Sequence, residues 1–213
     1  MEKLFPLSLF LFCCGVLLSA GCGGPGATPD PQASADTETV AEITDTFEIG
    51  ADGLPAIPDD AGEADKASSA ASDFGTTTVL GADFLLQHGG RVEGTALVLE
   101  PAAAGDGEQP LPGYGLYKAG GLVGKRPLSL NIECLPGGLD QPYYVGVADY
   151  TERHWRWFGP VNFPEFELDL RGIANQLTTH LGNMYFLVAV APGNTATHYQ
   201  STVIWGQPDP DDL

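Results

Sequence analysis

The sequence predicts an all-β fold, an antiparallel β-sandwich spanning residues 76–206. Short apolar runs are separated there by Gly, Pro, Asn and Asp, which is typical of many short strands joined by turns. Several runs alternate between apolar and polar residues, as strands do when one face is buried and the other is wet. Apolar residues at helical spacing continue for no more than a turn or two, the best case being 172–179.

Ten runs are predicted as strands, and one of them has a special position. The run 183–191 is apolar on both faces, so we expect it to lie in the centre of a sheet. In chain order the predicted strands are 76–80, 84–87, 91–100, 114–118, 127–135, 142–149, 154–159, 165–170, 183–191 and 197–205.

The run 143–160 is predicted to be the central hairpin of the domain, because two apolar strands flank a short polar connection. Trp155 and Trp157 are two residues apart and therefore share a face of the returning strand. We expect both rings to be core residues between two sheets. Arg156 between them should then point into water, and Asp149 should pair with a neighbouring arginine.

The connection of this hairpin is the candidate binding surface. Loops on a rigid sandwich commonly carry function, and aromatic rings with carboxylates are groups that stack on sugars and hydrogen-bond to them. The residues on or beside the connection are Asp149, Tyr150, Glu152, Arg153, His154 and Arg156.

The end of the chain is similar to a known class of sandwich. A long apolar strand, 183–191, is followed by Ala-Pro-Gly-Asn and by the alternating run 197–205. This pattern resembles the terminal hairpin of immunoglobulin-like and fibronectin type III-like domains, in which a central strand is followed by an edge strand. The resemblance implies a sandwich of that kind with extra strands, although the sequence has no Cys–Trp–Cys signature.

The first 21 residues are interpreted as a secretory signal peptide. Lys3 is followed by an uncharged run, 4–18, and by three small residues before Cys22. The small residues and the cysteine resemble the lipobox of bacterial lipoproteins, with Ser19 in the place where that family prefers Leu. The resemblance implies that Cys22 carries lipid and anchors the protein in a bilayer.

Two other interpretations of this segment remain. Residues 4–21 are just long enough to span a membrane, but Pro6 and the small-residue end argue against it. Ordinary cleavage near Ala20 or Gly21 would leave a secreted protein. The lipoprotein interpretation places the protein at the bacterial cell envelope, at the outer membrane or cell surface in preference to the inner membrane.

Residues 22–75 are predicted to be a disordered acidic tether. They contain twelve Asp and Glu residues against Lys66 alone, and large apolar residues are sparse. Val40, Ile43 and Phe47 lie at helical spacing, which leaves a partner-binding helix as an alternative. The tail, 207–213, is predicted to be disordered as well.

Composition and motifs argue against several classes of function. A net charge of −19 repels a phosphate backbone, so we expect no nucleic acid partner. The segment 119–126 differs from a phosphate-binding loop at two positions. Ala119 stands where that loop needs its first glycine, and Arg126 stands where it needs Ser or Thr. Cys134 shares a strand face with apolar residues, which predicts a buried thiol. No internal disulfide is expected, because Cys13 and Cys14 would leave with the signal peptide and Cys22 would carry lipid.

Other catalytic patterns are also missing. His88, His154, His180 and His198 are scattered without the spacing of a zinc site. The acidic residues at 165, 167 and 169 alternate with apolar ones, as on the wet face of a strand. We therefore expect no enzymatic activity, no metal and no cofactor.

The leading hypothesis is a lipid-anchored, noncatalytic β-sandwich with a structural or protein-interaction role at the cell envelope. Its partners would be the lipid bilayer, through Cys22, and an envelope protein or glycan. The first alternative is a carbohydrate-binding or adhesive module that uses the 149–156 loop, and the second is an accessory protein of a secreted hydrolase.

Overall fold

The computed structural model describes residues 42–43, 53–60, 74–102 and 110–207, all within one compact unit, Glu38–Leu213. For residues 42–43 only the backbone is described. The predicted signal peptide, Cys22, most of the predicted tether and residues 208–213 lie outside the described residues.

The described residues form twelve strands and one short 3₁₀ helix, Ala174–Gln176, within the run that had the best helical spacing. The strands are β1 (Glu42–Ile43), β2 (Phe74–Leu80), β3 (Leu86–His88), β4 (Arg91–Glu93), β5 (Ala96–Leu99), β6 (Gly113–Ala119), β7 (Arg126–Pro136), β8 (Tyr143–Asp149), β9 (His154–Val161), β10 (Glu165–Asp169), β11 (Met184–Val190) and β12 (Ala196–Gly206).

The strands form two antiparallel sheets, which confirms the predicted all-β sandwich. Sheet A has the order β1-β9-β8-β11-β6-β3, and sheet B has the order β10-β7-β12-β5-β4, with β2 paired to β12 as well. β11 lies between β8 and β6, and all seven of its residues are buried, so its predicted central position is confirmed.

The strand pairs from β5 to β12 are nested around one hairpin. β8 pairs with β9, β7 with β10, β6 with β11 and β5 with β12. Every connection in this series except β8–β9 changes sheets, which is the double Greek key arrangement of a jelly roll. The predicted central hairpin is thus the innermost pair, and the strand order differs from that of an immunoglobulin domain.

The expected terminal hairpin is wrong. β11 belongs to sheet A and β12 to sheet B, so the connection between them joins the two layers. β12 is also not an edge strand, since it has β7 on one side and β5 and β2 on the other. The sequence could not reveal this, because a short turn can join strands of one sheet or of two.

The predicted strand 91–100 is two strands. β4 and β5 form a tight hairpin with Glu93 opposite Ala96, and Gly94 in the turn has a φ of 63°. Glycine adopts this left-handed conformation without the clash that a Cβ atom causes. The Gly-Thr pair at 94–95 was the turn signal inside the apolar run.

The main core lies between the sheets, and a second cluster covers the outer face of sheet A. Tyr143, Val145 and Val147 of β8 point into the main core, together with residues of sheet B. Trp155 and Trp157 belong to the second cluster, with alternate residues of the neighbouring strands of sheet A. Both tryptophans are buried, as predicted, but they do not lie between the sheets.

Residues 53–60 cover this second cluster. Leu54 and Ile57 pack against it, and the indole nitrogen of Trp155 donates a hydrogen bond to the Pro55 carbonyl at 2.8 Å. The segment therefore belongs to the domain, as do residues 42–43 and 74–75, which lie in strands. The tether prediction is wrong for these residues. Residues 53–60 contain a few apolar side chains and prolines that pack on the aromatic outer face of sheet A, and composition alone did not predict this packing.

Candidate functional site

The predicted hairpin connection is held by Asp149, which is fully buried. Its Oδ1 accepts hydrogen bonds from the backbone N–H groups of Thr151 and Glu152, at 2.8 and 2.9 Å. Its Oδ2 accepts one from Nε of Arg156 at 2.7 Å. The buried carboxylate of Asp149 therefore stabilises the turn through the backbone. Its predicted pairing with an arginine is confirmed.

These contacts control the ionisation of Asp149. Burial by itself would raise the pKa of its carboxyl group. The hydrogen bonds from Glu152, Arg156 and Thr151, with the charge of Arg156, outweigh burial and lower the pKa below its usual value. Asp149 stays a carboxylate whose oxygens are occupied by the protein itself.

We expected Arg156 to point into water, and it does not. Its side chain is only 17% exposed, and besides Asp149 it contacts Gln176 of the 3₁₀ helix, with 3.0 Å between its guanidinium nitrogen and Oε1. The two tryptophans occupy the outer face of sheet A, so Arg156 lies on the opposite face of β9. It joins the hairpin to the 3₁₀ helix.

The other predicted site residues differ in exposure. Glu152, Arg153 and His154 are exposed. Tyr150 is half-buried, and its hydroxyl donates to the Pro58 carbonyl at 3.2 Å. Arg153 has a φ of 57°, a left-handed conformation that is uncommon for residues other than glycine. The geometry thus separates three accessible side chains from three that support the hairpin.

Asp60 anchors the covering segment at its end. Its carboxylate accepts hydrogen bonds from Thr179, from Asn183 at 3.1 Å and from the Tyr185 hydroxyl at 2.6 Å. Burial would raise the pKa of Asp60, but these three bonds and the nearby charge of Lys118 lower it. The aromatic outer face of sheet A is therefore occupied by the chain's own residues.

The outer face of sheet B is different, because it is polar and carries a depression of about 390 Å³. Glu133 lies between Glu165 on β10 and Gln200 on β12. The Gln200 amide donates to Glu133 Oε1 at 2.7 Å. The next row along the strands is Glu167, Asn131 and Thr202.

Two features of this depression lower the stability of the sheet. Glu133 and Glu165 are directly opposite each other on neighbouring strands, and like charges in that position repel. Asn131 Oδ1 is inaccessible to solvent and has no hydrogen-bond partner among the described residues. Features that cost stability are often found at sites retained for binding.

A half-exposed tyrosine follows from a bulge in β12. The pairing of β12 with β7 skips from His198 to Gln200, so Tyr199 is an extra residue on its strand. By the alternation of the run 197–205, Tyr199 would share a face with Val203, which is buried, yet Tyr199 is 45% exposed. The bulge is the reason, because an inserted residue shifts the alternation of a strand.

Sequence reasoning assigned 165 and 167 to a wet face but did not identify this depression. Its residues come from β7, β10 and β12, which are distant in sequence. The available signal was that Asn131 and Glu133 are the polar residues between the buried Leu130, Ile132 and Cys134.

The nucleophiles of the main core are inaccessible. Cys134 is fully buried, as predicted, and burial raises the pKa of its thiol. His198 and Ser201 are also buried, with 2.8 Å between Nε2 and Oγ. Burial lowers the pKa of His198 to about 4, although a backbone hydrogen bond with Gln200 acts in the opposite direction. These groups have no access to a substrate.

Within the described ranges no three His, Cys, Asp or Glu side chains are grouped as a metal site would require. In the same part of the chain no helix is long and apolar enough to cross a membrane.

Comparison with known proteins adds a structural likeness. No protein family model matches the chain, and no curated protein matches it. Among solved structures, the chain is similar to a family two carbohydrate esterase from Cellvibrio japonicus, at 14% sequence identity and a TM-score of 0.31. The likeness covers 64% of this chain, which spans 36% of the esterase chain.

Proposed function

We propose that this chain is a lipid-anchored, noncatalytic recognition domain of the cell envelope, which binds its partner on the outer face of sheet B. The contrast between the two outer faces carries this proposal. Sheet A is covered by residues 53–60, whereas sheet B keeps a polar depression open to solvent.

The chemistry of the depression favours a carbohydrate ligand. Glu133, Glu165 and Glu167 offer carboxylate acceptors, and the amide of Gln200 offers a donor as well as an acceptor. Sugar hydroxyl groups donate and accept hydrogen bonds and carry no charge, so they match such a set. Tyr199, next to Gln200 in the chain, is an exposed ring on which a sugar can stack.

This assignment moves the carbohydrate site away from the hairpin connection. Asp149 and Arg156 are engaged with each other, and Tyr150 is engaged with Pro58. Three carboxylates and two amide side chains line the depression on sheet B instead. The burial of Cys134, His198 and Ser201 supports a noncatalytic role, because these three side chains have no access to solvent.

The test is a glycan-array screen with the full chain, followed by titration of any sugar that binds. We expect Glu133→Gln and Gln200→Ala to weaken that binding by about tenfold or more, the effect of losing a hydrogen bond to a charged group. Glu152→Gln, an exposed carboxylate of the hairpin connection, is the matched control. Binding that is lost in the control but retained in Glu133→Gln would return the site to the hairpin.

A protein partner is the second candidate. Leu135 and Leu139 are 48% and 90% exposed, and exposed large apolar side chains are common at protein interfaces. A pull-down from envelope extract with the wild-type chain and a Leu135→Ser, Leu139→Ser variant tests this. Specific partners lost in the variant, together with an empty glycan array, would favour the protein-interaction role.

The lipid anchor is tested separately. The wild-type chain should partition into detergent and begin at an acylated Cys22 in mass spectrometry, and Cys22→Ser should release it or block its processing. A soluble mature chain beginning at Ala20 or Gly21 would contradict the anchor and leave the binding face unaffected.

A further inference from the structure

A second depression, of about 250 Å³, lies between the loop before β7 and the segment around the 3₁₀ helix. Lys125 and Arg126 line it from one side, and Asn175, Thr178 and His180 line it from the other. Within the described part of the chain, no Asp or Glu lines this pocket. That is unusual in a protein with 28 acidic residues and a net charge of −19.

The two sides of the pocket are fixed to each other by the backbone. Leu122 N–H donates to the Gly182 carbonyl at 2.9 Å, and Gly182 N–H donates to the Thr179 carbonyl at 2.9 Å. Gly182 has a φ of 70°, and a Cβ atom there would lie 2.2 Å from the Val123 nitrogen. The close approach therefore requires glycine, and the pocket is formed before any ligand arrives.

The cationic side chains are also held in place. The Lys125 ammonium group lies over the Trp205 ring, 3.4 Å from its centroid. A guanidinium nitrogen of Arg126 donates to the Arg171 carbonyl at 3.1 Å. Both cationic side chains are therefore ordered in the folded state, which reduces the entropy that they would lose on binding an anion.

One carboxylate approaches the wall of the pocket from behind. Asp60 accepts a hydrogen bond from Thr179, but it also accepts bonds from Asn183 and Tyr185, and Lys118 lies nearby. The Asp60 carboxylate thus already accepts hydrogen bonds from several protein donors on the side of sheet A. The lining of the pocket itself combines two cations with hydroxyl, amide and imidazole groups.

We propose that this pocket binds a phosphate group. Phosphate has several strong acceptor oxygens, which suit the residues with donor side chains among those that line the pocket, Lys125, Arg126, Asn175 and Thr178. The site is not a nucleotide-binding loop, because Arg126 begins β7 and no helix follows the glycine-rich segment. The proposal is independent of the sugar site on sheet B, which lies on other residues.

The experiment is phosphorus NMR titration of inorganic phosphate with the protein purified from its host in a phosphorus-free detergent, at constant ionic strength. We expect saturable binding that falls by about tenfold or more in Lys125→Gln, Arg126→Gln. Arg91→Gln, which removes an exposed arginine far along the chain, should bind as the wild type does.

A second variant addresses loss of structure. Asn175 is exposed, so Asn175→Asp should leave the melting temperature unchanged while its carboxylate repels phosphate. Full phosphate binding by Asn175→Asp, or no saturable binding by the wild type, would overturn the proposal.

The same titration identifies the source of the phosphate group. Glucose 6-phosphate and glycerol 3-phosphate carry it on a sugar and on a lipid backbone, and both should compete with inorganic phosphate. The stronger competitor indicates whether a glycan or a lipid head group supplies it. Failure of both to compete would also count against the proposal, because a pocket that accepts only the free ion cannot recognise such a partner.

Discussion

Acidification should destabilise the domain through His198 before its buried carboxylates are protonated. His198 is fully buried, its Nε2 is 2.8 Å from Ser201 Oγ, and the Tyr117 ring stands edge-on at 4.7 Å between centroids. Its Nδ1 has no hydrogen-bond partner among the described residues. A second proton on the ring would therefore place a positive charge in the main core, where it is removed from water.

The size and sign of the effect follow from the two pKa values. The pKa of His198 is about 4 in the folded chain, against 6.5 for an exposed histidine. Between these values the unfolded chain binds a proton that the folded chain does not, so stability falls as the pH falls. At about 1.4 kcal/mol per pH unit, the loss from pH 6.5 to pH 4 is about 3 kcal/mol.

The two carboxyl groups whose pKa is lowered affect stability in a different range of pH. Asp149 and Asp60 have pKa values below the ordinary 3.8, so their stabilising contributions are lost only as the pH falls through those lower values. The interval between pH 6.5 and pH 4 is therefore the one in which His198 should dominate.

Urea denaturation at half-unit steps of pH measures this dependence. We expect the free energy of unfolding of the wild type to decrease steadily below pH 6.5. His198→Gln should be less stable at neutral pH but should lose most of the slope. His154→Gln, which changes an exposed histidine, should keep the wild-type slope. Equal slopes in the wild type and His198→Gln would refute the reasoning.

Three further predictions concern stability, each measured by urea denaturation. Asp149→Ala should cost about 3 kcal/mol or more, because it leaves Arg156 largely buried without its carboxylate; a loss below about 1 kcal/mol would show that the turn is held otherwise. Trp157→Ala should cost about 3–5 kcal/mol, because the indole is fully buried, and Tyr199→Ala should cost much less, because that ring is 45% exposed; similar costs would contradict this contrast. Cys134→Ala should cost about 1 kcal/mol, as it removes a small buried group and no disulfide, and loss of cooperative unfolding would be the contrary result.

Periodicity predicted the strands of this domain well because it reports the local environment of each side chain. The spacing of Leu128, Leu130, Ile132 and Cys134 assigns them to one face of a strand, and the last three are buried while Leu128 is partly exposed. The assignment depends only on the alternation of a strand, so no knowledge of its partners was needed.

Features set by distant partners were not predictable in the same way. Trp157 is buried whether it faces the other sheet or the covering segment, so its sequence environment does not distinguish the two faces. The segment 53–60 resembles its acidic surroundings in composition, and only its docking on the aromatic face shows that it belongs to the domain. The depression on sheet B joins residues that are adjacent only after β10, β7 and β12 have paired.

The nested pairing of the strands has a consequence for how the chain acquires its structure. β12 is the last strand among the described residues, yet β2, β5 and β7 all pair with it. Contacts between strands this far apart in sequence form late and slowly, because a long loop must close before they contribute. During synthesis β8 and β9 can pair early, whereas β2, β5 and β7 of sheet B lack their common partner until β12 emerges. A chain cut short before Ala196 would leave those strands with unpaired edges, which makes truncated products targets for aggregation or proteolysis.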